Sequence, residues 1–248
     1  MSEVYEEYYS IIIKFGDKKW IDKLMAGEIF MQPLQYYRDL EEEELIKGQG
    51  DKYEGILNIS IKDFKYQSDD ENINNIFNLI RKGSNIRMSL KHNGDEEYLV
   101  ACFYSVDNNR FRWIGSDENY KYYKYEFTEE EKNIFSKWGD SALIINKFVL
   151  INKMYEEMHH IAKAFKEVKY YDPNNPDIEL LCDYQKLSIS RLFWKDIFFK
   201  DQQEFRILID KKDKKGKVVT NLGDISSFTR LESSRELLER GFIINVNK

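Results

Sequence analysis

The sequence predicts an α+β fold, a mixed and largely antiparallel sheet with helices packed on it. Three observations carry that prediction. Segments with the two-residue alternation of strands are joined by short turns as well as by helices, which favours antiparallel pairing. Apolar stripes at helical spacing stand between them. Glycines fall where those stripes end, and only 3 Pro and 12 Gly are present, with no linker, low-complexity tract or internal repeat. A chain of 248 residues, 42% hydrophobic and 15% aromatic, buries a substantial core. One domain spanning 1–248 is expected.

The elements follow in order. Tyr8 to Phe15 is rich in β-branched and aromatic residues and reads as a strand. Asp17 caps a short helix through Trp20, Ile21, Leu24 and Met25, stopped by Gly27. Leu57, Ile59 and Ile61 alternate with polar residues as a strand does. Ile73, Ile76, Phe77 and Ile80 form a helical stripe between Asp70 and Gly83. Asn85 to His92 and Glu97 to Tyr104 flank HNGDE, whose Asn93-Gly94 predicts a hairpin. Thr128 and Glu131 make a capping box ahead of Ile134, Phe135 and Trp138. The stripe Ile151, Met154, Tyr155, Met158, Ile161, Ala162, Phe165 predicts the longest helix, from about Asn146 to Phe165. A helix after Pro176 carries Leu180, Leu181, Tyr184 and Leu187. Phe205 to Asp210 and Lys217 to Leu222 are strands flanking a charged KKDKKG turn, and a last helix, Glu232 to Arg240, stops at Gly241.

Composition excludes several function classes. The 38 basic and 44 acidic side chains give a net charge of −6, so no overall field draws DNA or anionic lipid, and nucleic acid is not the expected main ligand. No run approaches the roughly 18–20 apolar residues of a membrane span. The opening MSEVYEEYYS lacks the basic-then-apolar order of a signal peptide, and Cys102 and Cys182 cannot make a disulfide framework, so a cytoplasmic protein is expected. His159 and His160, adjacent on the predicted helix, point about 100° apart and do not ligate one metal. No metal site is expected. Phosphate-cradling glycine loops, dinucleotide fingerprints and nucleophile elbows are absent from the sequence.

Two segments are candidate sites. Leu34 to Gly55 is too polar for core and holds Tyr36, Tyr37, Arg38, Asp51 and Glu54. Read as a binding loop, it lets Arg38 grip an anionic group while the tyrosines stack on a ring; read structurally, it is a solvated loop with an ordinary ion pair. In Phe198 to Asp210, alternation puts Phe205, Ile207 and Ile209 on one strand face and Glu204, Arg206 and Leu208 on the other. Glu204 and Arg206 then stand about 7 Å apart. Lining a cleft, Glu204 acts on a hydroxyl or a developing cation and Arg206 holds a phosphate; facing water, the two are a weak surface pair. Cys102 reads as a small buried hydrophobe, and the stretch Arg110 to Phe127 as an aromatic-rich sheet edge.

In order, LMAGEIFMQPLQYYRD, GDKYEG, LVACFYS, KWGDSALII and KDQQEFRIL resemble the AbiGi-like abortive-infection family of bacterial and phage proteins. The likeness spans about Ile11 to Ile209. YYRDLEEEE stands where that family has an Asn-Asp-Pro step, with Asp51 and Glu54 the nearest acidic counterparts, and Phe205 stands where Trp is usual. A fainter likeness is to the ADP-ribosyltransferase fold: Gln202-Gln203-Glu204 is similar to its Gln-x-Glu pattern. That second likeness implies NAD as cofactor, Glu204 as catalytic residue and Tyr36 or Tyr37 against the nicotinamide. Lys14 is the basic residue that the first strand offers where those enzymes place an Arg or His. Together the resemblances imply an effector in a phage–host conflict system, acting on a nucleotide or nucleotide-bearing substrate at a cleft bordered by Arg38, Glu54, Glu204 and Arg206. The alternative is a non-enzymatic inhibitor that blocks a defence protein through an acidic surface including Glu41 to Glu44.

Overall fold

The computed structural model describes residues 10–42, 50–61, 86–159, 161, 163–210 and 218–248. Strands β1 (Ile11–Gly16), β2 (Glu28–Pro33), β3 (Leu57–Ile61), β4 (Ile86–Leu90) and β5 (Leu99–Ser105) come first. They are followed by β6 (Arg112–Ser116), β7 (Tyr120–Tyr125), β8 (Ser141–Asn146), β9 (Lys163–Glu167) and β10 (Lys169–Tyr171). The rest are β11 (Trp194–Asp196), β12 (Glu204–Ile209), β13 (Val218–Asn221), β14 (Thr229–Ser233) and β15 (Phe242–Asn247). The helices are α1 (Lys18–Met25), α2 (Leu34–Glu42), α3 (Glu129–Phe135), α4 (Lys147–Glu157), α5 (Ile178–Gln185) and α6 (Ser234–Arg240). Pairing is antiparallel apart from β10 with β11, so the fold class is α+β. Among the described residues no helix is long and apolar enough to cross a membrane. The predicted helix over Ile73 to Ile80 lies outside the described residues.

The chain forms two compact units, one from Met1–Pro33, Glu97–Val168 and Asp201–Lys248, the other from Leu34–Glu96 and Lys169–Lys200. The first is built on β5. This strand, LVACFYS, pairs along its length with β12, while its other side is shared between β2 at Leu99 and Val100 and β1 at Tyr104 and Ser105. Such sharing needs a strand apolar on both faces, and alternation sends its residues to two cores. Ala101 and Phe103 join Ile12, Leu143, Phe205 and Ile207 under α1 and α4, through Ile21, Leu24, Leu150 and Met154. Tyr104 joins Ile13, Phe15, Tyr125 and Phe242 on the other face, with Phe135 of α3 and Leu237 of α6. The stretch 110–127 forms β6 and β7 of a three-stranded sheet with β15, and β6 is its exposed edge, as the sequence predicts.

Local signals hold where they need only a few neighbouring residues. Gly27 follows the Ala26 cap of α1 at φ +92°, and an added Cβ would lie 1.8 Å from the Gly223 carbonyl oxygen, so glycine is required twice over. The capping box of α3 is present. Signals that depend on distant partners fail in three places. The predicted helix to Phe165 stops at Glu157: Leu150, Met154 and Met158 are its buried stripe, but Phe165 lies in β9 opposite Ile207 and packs on the same core from a strand. Gly94 does make a turn at φ +92°, yet its flanks part, β4 to β3 and β5 to the large sheet. Residues 87–90 of β4 are exposed, whereas β5 has apolar surface for both cores, so the strands do not match. β12 and β13 do not pair either, because β13 extends the sheet beyond β2.

Glu131 does more than cap. Its Oε2 accepts from the Thr128 amide at 2.8 Å and from Arg110 at 2.9 Å. Its Oε1 accepts from the Tyr104 hydroxyl at 2.8 Å, from Gln203 Nε2 at 3.1 Å and from Arg110 Nη1. Tyr104 and Tyr125 share a hydrogen bond between their hydroxyls. The side chain is 1% exposed, and these donors take the place of water around its oxygens. Glu131→Ala is expected to lower unfolding free energy by about 3–5 kcal/mol in urea titrations; a loss below about 0.5 kcal/mol would place this carboxylate in water.

Among the described residues of the second unit, Leu57, Ile59, Tyr171, Leu180, Tyr184 and Trp194 form a small buried apolar cluster. Burial is the leading cause that pushes Tyr171 up to about 12, and it pushes Tyr184, like Tyr104 and Tyr125 of the first unit, well above the ordinary phenol range. Unfolded tyrosine loses its proton near about pH 10. The folded chain holds these protons longer, so above that pH it binds more protons than the unfolded chain and stability falls as pH rises. Circular dichroism is expected to show cooperative unfolding between about pH 10 and 12 together with a rise in tyrosinate absorbance. Full ionisation of every tyrosine with an intact spectrum is the contrary result.

Candidate functional site

Six residues of β12 are buried on both faces, so Glu204 and Arg206 face neither water nor an open surface. Arg206 is 0% exposed and its Nε donates to Glu204 Oε1 at 2.7 Å. The water-facing pair considered from the sequence is therefore corrected to a buried ion pair. Alternation separates two faces: Phe205, Ile207 and Ile209 lie in one apolar core, and the face carrying Glu204, Arg206 and Leu208 is buried as well. Arg206 lies opposite Cys102 and Glu204 opposite Tyr104. Burial first, and the Glu204 carboxylate second, push the Cys102 thiol far up. Lys14 Nζ donates to the Cys102 carbonyl at 2.7 Å, in the stretch of β5 between its β2 and β1 partners, where a ladder bond is missing. The lysine thus completes the sheet, and burial lowers its pKa, opposed by Cys102 and Glu204. In Gln202-Gln203-Glu204 the side chains divide. Gln202 is buried, Gln203 at φ +39° donates to Glu131, and Glu204 accepts from Arg206.

The second unit gathers Arg38, Asp51 and Glu54. The segment read as a loop begins with helix α2, and the part expected to be too polar for core is buried: Arg38 is 4% exposed and Asp51 and Glu54 are 3%. Arg38 Nε donates to the Glu54 carbonyl at 2.7 Å and Nη1 to Gln35 Oε1 at 3.4 Å, while Nη2 is buried with no hydrogen-bond partner among the described residues. Gly55 at φ +65° lets the turn pass beside it; a Cβ there would stand 3.2 Å from Leu34 and Leu192 and 3.5 Å from Nη2. Burial lowers the Arg38 pKa, opposed by Glu96, Glu54 and Asp95. Tyr36 and Arg38 are two residues apart on one helix, hence about 200° apart around it. Tyr36 is exposed and Arg38 buried, so Tyr36 does not stack on what Arg38 holds. Tyr37 is half-buried and meets the Tyr36 ring edge-on at 5.5 Å. Side chains of the Glu41 to Glu44 run lie outside the described residues.

Several residues here were not singled out from the sequence. Lys195 Nζ lies 3.6 Å from Glu54 Oε2 and 4.6 Å from the Phe199 ring centroid. Arg191 clamps Asp95 through Nε at 3.0 Å and through Nη2, and its Nη1 donates to the Leu187 and Ser188 carbonyls at 2.7 Å. His92 stacks on Tyr184 at 6.0 Å and 25°. The available signal was charge inside apolar sequence: SRLFWKDIFF carries Arg191 and Lys195 among aromatics. Among the described residues no group of three or more His, Cys, Asp and Glu side chains is placed to hold a metal ion. No family model matches this chain, and neither a curated protein nor a solved structure does. Function is therefore argued from the site.

Because the β12 pair is buried, removing one partner strands the other. Glu204→Gln is expected to cost about 3–5 kcal/mol, and the double change Glu204→Leu with Arg206→Met markedly less than the sum of its parts. Urea unfolding of the three variants measures this; a single variant as stable as the wild type would show that the pair is solvated.

Proposed function

We propose that the second unit binds a nucleotide or nucleotide-bearing substrate and that Arg38 is the side chain that holds it. One observation carries the reading. A guanidinium nitrogen of Arg38 is sealed from water without a hydrogen-bond partner among the described residues, whereas the neighbouring Arg191 has every polar nitrogen engaged. Leaving such a donor unsatisfied costs about 1–3 kcal/mol or more, and proteins accept that cost chiefly where a ligand or water repays it. The unit also buries Lys195, Glu54, Asp51, Asp95 and Arg191 around a small apolar cluster, an arrangement poor for stability and suited to recognising a polar guest. The setting we propose, an effector of a phage–host conflict system, rests on the likeness of the motifs to the abortive-infection family. Glu204 carries no chemical step in this proposal, since its carboxylate bonds Arg206.

Isothermal titration of the full chain with ATP, GTP, NAD and ADP-ribose tests the proposal. At least one ligand is expected to bind and, at about a hundredfold excess over its Kd, to raise stability by about 2.7 kcal/mol. Arg38→Lys, with folding checked by circular dichroism, should weaken binding about tenfold or more, because lysine loses the fork of donors. A folded wild type that binds none of the four at millimolar concentration overturns the proposal and moves the inhibitor alternative ahead.

A further inference from the structure

Lys195, in the middle of β11, is 5% exposed and meets the same residue that Arg38 meets. Glu54 serves the two cations with different atoms. Its backbone carbonyl accepts from Arg38 Nε at 2.7 Å, and its carboxylate Oε2 lies 3.6 Å from Lys195 Nζ. The carbonyl and the carboxylate of one glutamate are only a few bonds apart, so covalent geometry keeps both cations beside one short turn.

The two contacts differ in kind. The hydrogen bond to the carbonyl fixes the guanidinium plane, with Nη2 buried and without a hydrogen-bond partner among the described residues. The contact of Lys195 Nζ with Glu54 Oε2 is longer than a hydrogen bond, and the face of the Phe199 ring, 4.6 Å away, adds its own attraction for the ammonium. A turn of the Glu54 side chain therefore releases Lys195 from this carboxylate and leaves Arg38 held by the backbone. Burying a cation is costly unless an anion meets it. A phosphate or diphosphate brings negative charge and several acceptor oxygens, enough to serve a guanidinium and an ammonium at once.

We propose that Lys195 joins Arg38 in holding the phosphate of the nucleotide, and that the Glu54 carboxylate is the internal anion which that phosphate displaces. The assignment rests on the nucleotide reading above and names the part of the nucleotide that the site takes. In the free protein the carboxylate faces Lys195. With ligand bound it turns away, because two anions repel each other at one ammonium. Glu54 is thus a competitor at the site that its own carbonyl helps to build.

Titrations of the full chain compare ATP, GTP, NAD and ADP-ribose with adenosine, guanosine and inorganic pyrophosphate. Pyrophosphate is expected to displace the bound nucleotide, and neither nucleoside to bind within about tenfold of it. Nucleotide affinity should fall between about 50 and 500 mM salt as the charge contacts are screened. Lys195→Gln should cost about tenfold or more in nucleotide affinity, and Lys195→Arg should restore most of that. Glu54→Gln keeps the backbone carbonyl on Arg38, removes the competing charge and should bind about threefold tighter or more. Residues that only held the fold would weaken binding in both glutamine variants, so opposite signs are the signature. Where a variant fails to fold by circular dichroism, pyrophosphate displacement from the wild type decides. A nucleoside that binds as tightly as its nucleotide and resists pyrophosphate overturns the phosphate assignment and leaves the nucleotide proposal standing. A folded Glu54→Gln chain that binds no tighter than the wild type overturns the displacement. Silence from all four nucleotides overturns this inference and the nucleotide proposal together.

Discussion

Taking a carboxylate out of water costs several kcal/mol unless a cation and hydrogen-bond donors meet it. Glu131, Glu204, Glu54 and Asp95 are all buried, and each meets a cation: Arg110, Arg206, Lys195 and Arg191. Partners as distant in sequence as Arg191 and Asp95, 96 residues apart, must therefore arrive at one place with correct geometry. Such pairs add little net stability compared with apolar packing, but a misplaced chain leaves a bare charge inside. In the first unit this requirement ties the start of α3, the turn before β6 and the tyrosines of β5 and β7 to one carboxylate. In the second it joins the 95–97 turn to the turn at 189–193.

Arg38 departs from that rule in one nitrogen. Its Nε is held by the Glu54 carbonyl, so the guanidinium plane is oriented before any ligand arrives. Gly55 keeps the adjacent turn close without a side chain in the way. A preoriented donor loses little freedom on binding, which favours recognition by a few well-placed polar atoms. The contrast with β12 is instructive. There Glu204 and Arg206 answer each other inside a buried strand, and the same two residue types that resemble an active pair form a buried ion pair.

Much of the fold was legible where a few adjacent residues decide the outcome. The Thr128–Glu131 capping box, the glycine after α1 and the α5 stripe through Leu180 and Tyr184 follow from local backbone chemistry. Phe165 misleads for a physical reason: burial on one core is consistent with period 3.6 from a helix or with alternation from a strand, and β12 supplies the ladder that selects the strand. Asn93-Gly94 turns the chain as expected, but the partner of a strand depends on which apolar faces are available elsewhere.

By itself the sequence determined the α+β class, most helix termini and the residues with chemistry to offer, because these depend on composition, period and backbone preference. It marked Arg38, Asp51, Glu54, Glu204 and Arg206. Tertiary structure decided what each could do. Whether the polar face of β12 meets water or is buried depends on the assembled sheet, where β5 and β9 flank the strand and Tyr104 and Cys102 stand opposite Glu204 and Arg206. Whether Arg38 lies in a solvated loop or is buried depends on the Glu54–Gly55 turn closing on it and on Glu54 meeting Lys195 from far along the chain. Burial turns an ordinary charge into a constraint or a site, and burial is a property of the assembled fold.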